Sequence, residues 1–303
     1  MRFGLHLPQL GLAATPDRIM GCAVRAEALG FDDVWVSEHV AVPVSTTGMP
    51  SFFPEPVPLL SIAASVTDRV GLGTSVLVPA YRNPMHFAKQ WATLDWLAPG
   101  RTILGVGAGW LEEEFAACGV PMAKRGQRLD EYINGWNVLW SGGTEFESDH
   151  FTFRDVRVNP QPDDEVPIWI GGSSPGALRR AAWCHGWHPT WAPLEVFSER
   201  LARLHEEMDK IERPREEVTI SVHMEVSVGG LPYSGWSTVG DGYGDRQPVS
   251  GSIEEVAALI AEYDDAGLDH ILMTPVVRGA ELWDEMAEDL GAVMHLLRRR
   301  ELP

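Results

Sequence analysis

The chain has little cysteine and little positive charge, and each shortage excludes a class of protein. Its three cysteines, Cys22, Cys118 and Cys184, lie far apart and form no CxxC pair. A disulfide framework or a zinc knuckle is therefore not expected, and buried free thiols are. Lys and Arg number 24 against 43 Asp and Glu, which gives a net charge of −19. Because a phosphate backbone binds positive surfaces, we expect no nucleic-acid partner.

The sequence also has no long apolar run. A membrane-spanning helix needs about 18 consecutive apolar residues, and none occurs. The first eight residues, MRFGLHLP, are too short and too interrupted for a signal peptide and are typical of a first strand. We therefore expect a cytoplasmic protein with no membrane partner.

Short apolar runs alternate with longer amphipathic segments along the chain, which is typical of βα units. Eight strands are predicted, at 3–7, 33–37, 70–78, 102–106, 166–170, 188–191, 218–228 and 270–274. Helices are predicted at 16–29, 59–67, 83–97, 126–139, 175–183, 198–211, 253–266 and 281–299, with a hairpin at 144–153.

The strands are mostly apolar on both faces, as buried parallel strands are. Eight βα units favour a closed barrel, and no GxGxxG motif follows the first strand to indicate a Rossmann domain. The predicted fold class is α/β, a single (β/α)8 TIM barrel with insertions, in one domain over residues 1–303. Residues 229–251 are rich in Gly, Ser and Pro and lack apolar periodicity. They are predicted to form a long loop, either a lid over the site or a disordered insertion.

In such a barrel the functional groups follow the C-terminal ends of the strands. After the fifth strand come Gly171, Gly172, Ser173 and Ser174, directly before a helix. The glycines allow close approach of backbone N–H groups, and a serine can cap the helix, so the segment suits a phosphate. An ordinary βα turn with a serine cap explains it equally well.

Other strand ends carry weaker signals. Gly107 and Ala108 follow the fourth strand and leave room for a flat ring, although tight packing would produce the same glycines. Glu38 and His39 follow the second strand as a candidate acid–base pair, because an adjacent carboxylate can tune a histidine that titrates near neutral pH. A lone histidine is more often structural.

Further clusters have simpler explanations. Glu112, Glu113 and Glu114 point in different directions on a helix, so a solvated first turn is expected instead of a metal site. His185 and His188 have no third ligand at metal spacing. Arg128 at the start of a helix, with its neighbour Arg125, can reach a ligand phosphate or pair with an acidic neighbour, Asp130 or Glu131.

At these positions the sequence resembles the luciferase-like monooxygenase superfamily, and within it the branch that uses the deazaflavin coenzyme F420. The matching segments occur in the family's order between position 3 and about position 190. They are residues 3–8, 30–39, 104–110 with Glu114 and Phe115, 125–131, 151–153, 167–180, and Gly186 with Trp187.

The resemblance implies a site that spacing alone does not give. The ring of the cofactor would lie at the C-terminal mouth of the barrel, backed by a bulge on the third strand at Ser75 and Val76, often with a non-prolyl cis peptide. The cofactor phosphate would bind at Gly171, Gly172, Ser173 and Ser174, with Gly107, Ala108 and Trp187 as further cofactor contacts. Glu38 and His39 match the family's acid–histidine pair, whose histidine contacts the ring and moves a proton.

One departure bears on the substrate. Some dehydrogenases of the branch carry a carboxylate directly after the glycines of the fourth strand, where this chain has Trp110. A sugar-phosphate substrate is therefore in doubt, and a more apolar pocket is expected.

Three hypotheses follow, in this order. The first is hydride transfer between F420 and a small organic substrate by a homodimer. The second is an FMN-dependent monooxygenase supplied by a partner flavin reductase. The third is a non-catalytic barrel that binds a flavin.

Overall fold

The structure is a computed structural model that describes residues 1–10, 14–46, 52–229, 248–276 and 282–300. Within those ranges, no helix combines the length and the apolar character needed to cross a bilayer.

Nine strands occur among the described residues, and eight of them correspond to the predicted ones. They are β1 (Arg2–His6), β2 (Asp33–Val36), β3 (Gly71–Thr74), β4 (Thr102–Val106), β5 (Ile168–Gly171), β6 (Gly186–His188), β7 (Thr219–Val228), β8 (Val249–Gly251) and β9 (His270–Pro275).

The described helices lie between these strands. They are α1 (Pro16–Leu29), α2 (Pro56–Val66), α3 (Pro84–Leu97), α4 (Glu112–Ala117), α5 (Arg125–Trp140), α6 (Pro175–Trp183), α7 (Leu194–Asp209), α8 (Ile253–Asp265) and α9 (Leu282–Arg300). Helix α1 has both expected end signals, because Thr15 accepts the N–H of Arg18 and Gly30 adopts φ +88° after the last turn.

Eight parallel strands close into a barrel. The order β6-β5-β4-β3-β2-β1-β9-β7 is completed by pairing between β6 and β7, and β8 pairs with the end of β7 outside the ring. The predicted TIM barrel is confirmed. The register sets Gly4 opposite Asp33 and His6 opposite Trp35, so side chains at alternate positions of both strands point into the barrel.

Two tryptophans fill the barrel interior, and glycines on neighbouring strands make room for them. Trp35 and Trp169 are almost fully buried, with ring centroids 5.3 Å apart. A Cβ atom on Gly73 would lie 2.4 Å from the ring of Trp35, and one on Gly186 would lie 2.6 Å from the ring of Trp169. The interior is thus a packed core, as in other barrels of this type.

Three local predictions need correction. The hairpin at 144–153 forms no strands and is closed by one antiparallel bridge between Phe146 and Phe153. The third strand ends at Thr74 instead of residue 78. Of the loop at 229–251, residues 230–247 lie outside the described residues, and its end is the strand β8.

The glycine–tryptophan packing gives a stability prediction. Gly73→Ala should lower the free energy of unfolding by about 1–3 kcal/mol, because the new methyl group overlaps a ring with no room to move. The matched control is Gly21→Ala in α1, where a Cβ meets nothing within 4 Å. There the helix propensity of alanine should add about 0.5–1 kcal/mol. Urea unfolding checks both, and equal effects of the two variants would contradict this packing.

Candidate active site

The C-terminal ends of the strands meet at one mouth of the barrel. Directly after β3, the peptide bond between Ser75 and Val76 is cis, where the resemblance placed it. Added Cβ atoms on Gly107 and Gly171 would each lie 3.0 Å from a methyl group of Val76. Three expected cofactor positions are thus together, and Val76, Gly107 and Gly171 are called the mouth floor below. Ala108 is partly exposed next to it in sequence.

His39 lies at the rim of the mouth, after β2. Its side chain is 17% exposed, and its Nδ1 atom lies 3.2 Å from Oε2 of Glu114. The ring makes edge contacts with Phe53 and Trp110, at centroid distances of 5.0 and 6.2 Å. His39 is therefore a partly exposed histidine with an acidic partner on one nitrogen and aromatic neighbours.

Glu114 is the acidic partner of His39, although the sequence predicted a solvated turn there. Its side chain is 2% exposed, while Glu112 and Glu113 are exposed as expected. Besides His39, it accepts hydrogen bonds from the backbone N–H groups of Val40 and Ala41 and from the hydroxyl of Tyr81. Burial alone would raise the pKa of Glu114, but the hydrogen bonds from His39 and the backbone outweigh burial and lower it.

Glu38 does not pair with His39, which corrects the predicted acid–base pair. Its buried carboxylate accepts hydrogen bonds from the Arg82 guanidinium and, at 2.7 Å, from the N–H of Val78. Burial would lower the pKa of Arg82, but Glu38 and Glu55 raise it. Burial raises the pKa of Glu38, although Arg82 and the N–H of Val78 oppose this rise. Glu38 therefore ties the end of β2 to the segment after β3.

The turn after β5 is built as a helix N-terminus. Gly172 adopts φ +90°, and Ser174 caps α6 by accepting the N–H of Ala177 at 3.2 Å. The hydroxyl of Ser173 accepts a hydrogen bond from Arg200 at 3.4 Å. A cationic side chain, free space at a glycine and a helix N-terminus suit a phosphate group.

Two residues expected to contact the cofactor or its phosphate act from elsewhere. Trp187 is fully buried and donates from Nε1 to the carbonyl of Gly172 at 2.9 Å. It therefore supports the turn from beneath and has no exposed surface for a ligand, contrary to the prediction. Arg128 donates to the carbonyl of Pro121, and its expected partner Asp130 is paired with Arg180.

A chain of polar side chains inside the barrel escaped the sequence reasoning. It runs Asp33–His270–Ser221–His188–Ser75–His223–Thr274, and each neighbouring pair is within hydrogen-bond distance. The successive distances are 2.9, 2.7, 2.6, 3.0, 3.2 and 2.7 Å. The histidines occupy inward-facing positions of their strands, so the alternation of inward and outward side chains along each strand could have identified them.

Comparisons with known proteins show which family the chain is similar to. The model of the luciferase-like monooxygenase family matches residues 1–232. An F420-dependent glucose-6-phosphate dehydrogenase of Microbacterium testaceum (strain StLB037) is 34% identical over 219 residues, 70% of this chain and 64% of the relative. The protein of that name from Beutenbergia cavernae is 39% identical over 171 residues, 55% of this chain and 50% of the relative. The chain thus spans half to two thirds of the length of these curated relatives.

Solved structures share the fold at low identity. An F420-dependent secondary alcohol dehydrogenase in complex with an F420-acetone adduct has a TM-score of 0.80 at 20% identity, covering 96% of this chain and 98% of that one. The monooxygenase RslO1 from Streptomyces bottropensis has a TM-score of 0.81 at 23% identity, covering 99% and 100%.

The buried Glu114 gives a prediction about acid stability. Its pKa lies below the ordinary value of 4.5 in the folded chain, so its contribution is complete above that value and is lost as pH falls through the folded pKa. Glu114→Gln should cost about 1–3 kcal/mol at neutral pH, since it leaves buried donors poorly matched. It should also flatten the loss of stability below pH 4.5.

The matched control is Glu113→Gln, the exposed neighbour on the same helix turn. It should change the free energy of unfolding by no more than about 0.5 kcal/mol. Urea unfolding at several pH values makes the comparison. Equal acid sensitivity in the wild type and the Glu114 variant would show that the buried carboxylate does not carry the effect.

Proposed function

This chain belongs to the luciferase-like monooxygenase family, and we propose that it transfers a hydride between coenzyme F420 and a small organic substrate. The observation that carries the proposal is His39 on the rim of the mouth, backed by buried Glu114. The names of the curated relatives support F420 as the cofactor. One domain over residues 1–303, a homodimer and a cytoplasmic location are parts of the same proposal.

The residues at the mouth fit such a cofactor. Val76 forms a partly exposed apolar surface because two glycines face its methyl groups. Gly172, Ser173 and Ser174 offer backbone and hydroxyl groups to a phosphate at the start of α6, with Arg200 beside Ser173. When bound there, F420 supplies the ring carbon that accepts or gives the hydride.

His39 would manage the proton that accompanies the hydride. Nδ1 of His39 donates a hydrogen bond to the carboxylate of Glu114. This bond holds the imidazole in the tautomer whose Nε2 is unprotonated. Nε2 can then take a proton from a substrate hydroxyl, and the lowered pKa of Glu114 keeps the counter-charge in place. His39 would thus hold the proton that a substrate hydroxyl releases during hydride transfer.

The aromatic rings beside His39 favour a small, largely apolar substrate. Trp110 is 40% exposed and, with Phe53, contacts the histidine ring. Position 110, after the fourth strand, is a tryptophan, so no charged side chain is there to bind a sugar phosphate. We therefore expect secondary alcohols or their ketones to be better substrates than glucose 6-phosphate.

Binding separates the proposal from its rivals. Purified chain should quench the fluorescence of F420 and bind FMN more weakly, because the relatives that support the proposal use F420. If the chain binds FMN tightly and does not bind F420, the proposed cofactor is wrong and FMN takes its place. Oxygen consumption with reduced FMN would favour a monooxygenase. Binding without turnover of any alcohol or ketone would favour a non-catalytic barrel.

His39→Ala tests the proton role. It should lower turnover with F420 by about 10²–10⁴-fold, the range typical of a lost general base, while the dissociation constant of F420 changes little. The control is His86→Ala, an exposed histidine on α3, which should leave both unchanged. Full turnover in the His39 variant would remove it from the mechanism.

A further inference from the structure

The polar chain inside the barrel connects the mouth to a buried carboxylate–histidine pair at the other end. Asp33 and His270 are the first residues of β2 and β9 and are fully buried. Ser75 and Thr274 lie at the opposite, C-terminal ends of β3 and β9 and are partly exposed. Thr274 lies four positions after His270 on the same strand, which is about 13 Å at about 3.3 Å per residue.

We propose that this chain is a proton relay, which carries a proton between the barrel mouth and the buried His270–Asp33 pair. The inference rests on the proposed function, in which His39 takes the proton of the alcohol. The relay is a second acceptor at the mouth, for a proton that a bound group gives to Thr274 during turnover. The relay holds that proton inside the barrel, on His270, away from the mouth.

Every link of the chain has the atoms that a relay needs. Each imidazole can accept at one nitrogen while it donates from the other, and each hydroxyl can do both. With Asp33 ionised and His270 neutral, all hydrogens point toward Asp33. His270 donates from Nε2, Ser221 and Ser75 donate to imidazole nitrogens, and Thr274 donates to Nε2 of His223. In that state Thr274 presents only lone pairs toward the mouth.

Proton uptake reverses each hydrogen bond from Thr274 to His270, while Nε2 of His270 still donates to Asp33. A proton arrives on Oγ1 of Thr274, whose own hydrogen passes to Nε2 of His223. Nδ1 of His223 releases its proton to Ser75, Ser75 to Nε2 of His188, and Nδ1 of His188 to Ser221. Ser221 protonates Nδ1 of His270. One O–H bond breaks in the ligand, one N–H bond forms on His270, and no electrons move.

Asp33 makes His270 the place where the proton rests. Burial would raise the pKa of Asp33, but His270, Arg2 and the indole N–H of Trp35 hold it at about 2. The carboxylate is therefore ionised at neutral pH and stabilises an imidazolium on His270. Midway, burial and the neighbouring imidazoles hold the pKa of His188 well below its usual range, so the charge passes that position without stopping.

Other titratable groups lie close to the chain. His6 stacks on His223 at 6.0 Å but bonds Ser37 and the carbonyl of Leu7, and burial lowers its pKa to about 4. Arg2 reaches His270 only through Asp33. Glu225, two residues beyond His223 on β7, is the acidic group on the same strand face near the mouth.

A purely structural role predicts something different. Polar groups buried in a barrel need partners, and a chain of hydrogen bonds would satisfy them without moving a proton. Breaking a link would then cost stability and change no titration elsewhere. In a relay, the protonation of His270 and the tautomer of His223 change together, although four hydrogen bonds lie between them.

The experiment measures both histidines in the free protein. In chain labelled with ¹⁵N-histidine, acidification that protonates Nδ1 of His270 should move the proton of His223 from Nδ1 to Nε2 with the same midpoint. A His223 ring that does not respond in the wild type would overturn the relay. This readout needs no cofactor, so it stands whether or not F420 is turned over.

Ser221→Ala removes the central link, and Thr102→Val is the control. Thr102 also loses a buried hydroxyl bond, at 2.6 Å to Asp95, but lies outside the chain. Ser221→Ala should uncouple the two histidine midpoints, lower turnover about 10-fold or more and shift its pH profile, with F420 affinity unchanged. Thr102→Val should do none of these. Coupling that persists without Ser221, or turnover loss of equal size in both variants, would assign the chain a structural role.

Discussion

The carboxylate of Asp33 is the constraint on which the rest of the barrel depends. A charge with no exposed surface must be compensated, and removing one partner of such a group typically costs several kcal/mol. Arg2, Trp35 and His270 supply the compensation from three strands. Because Trp35 is held there by its indole N–H, the strands that face its ring must carry glycine, and the interior layers follow from that choice.

Two histidine–carboxylate pairs occupy the two ends of the same barrel. His39 and Glu114 stand at the mouth, where the histidine is partly open to a ligand. His270 and Asp33 stand at the base, where neither is exposed. The same chemical pair is thus partly open to the mouth at one end of the barrel and fully enclosed at the other.

The sequence predicted the fold well because the signals for it are local. Alternating apolar runs, the proline and glycine at the ends of α1 and the missing dinucleotide motif act within a few residues, and the barrel followed from them. Element boundaries were predicted less well, as at Thr74, where the third strand ends four residues before the predicted position. The site was predicted less well because its partners are distant in sequence. Glu38 is next to His39 in sequence, yet it pairs with Arg82. The acidic partner of His39 is Glu114, which is 75 residues away. Predicting the interior histidines would require knowing which residues of three strands point into the barrel.

The mouth floor has a consequence for what can lie on it. Val76 is β-branched, so its side chain has few rotamers, and the backbones of two glycines leave its methyl groups no deeper position. A surface of that kind cannot yield to fit a puckered or bulky molecule. A flat ring, such as that of the proposed cofactor, is the shape that such a stiff support suits best.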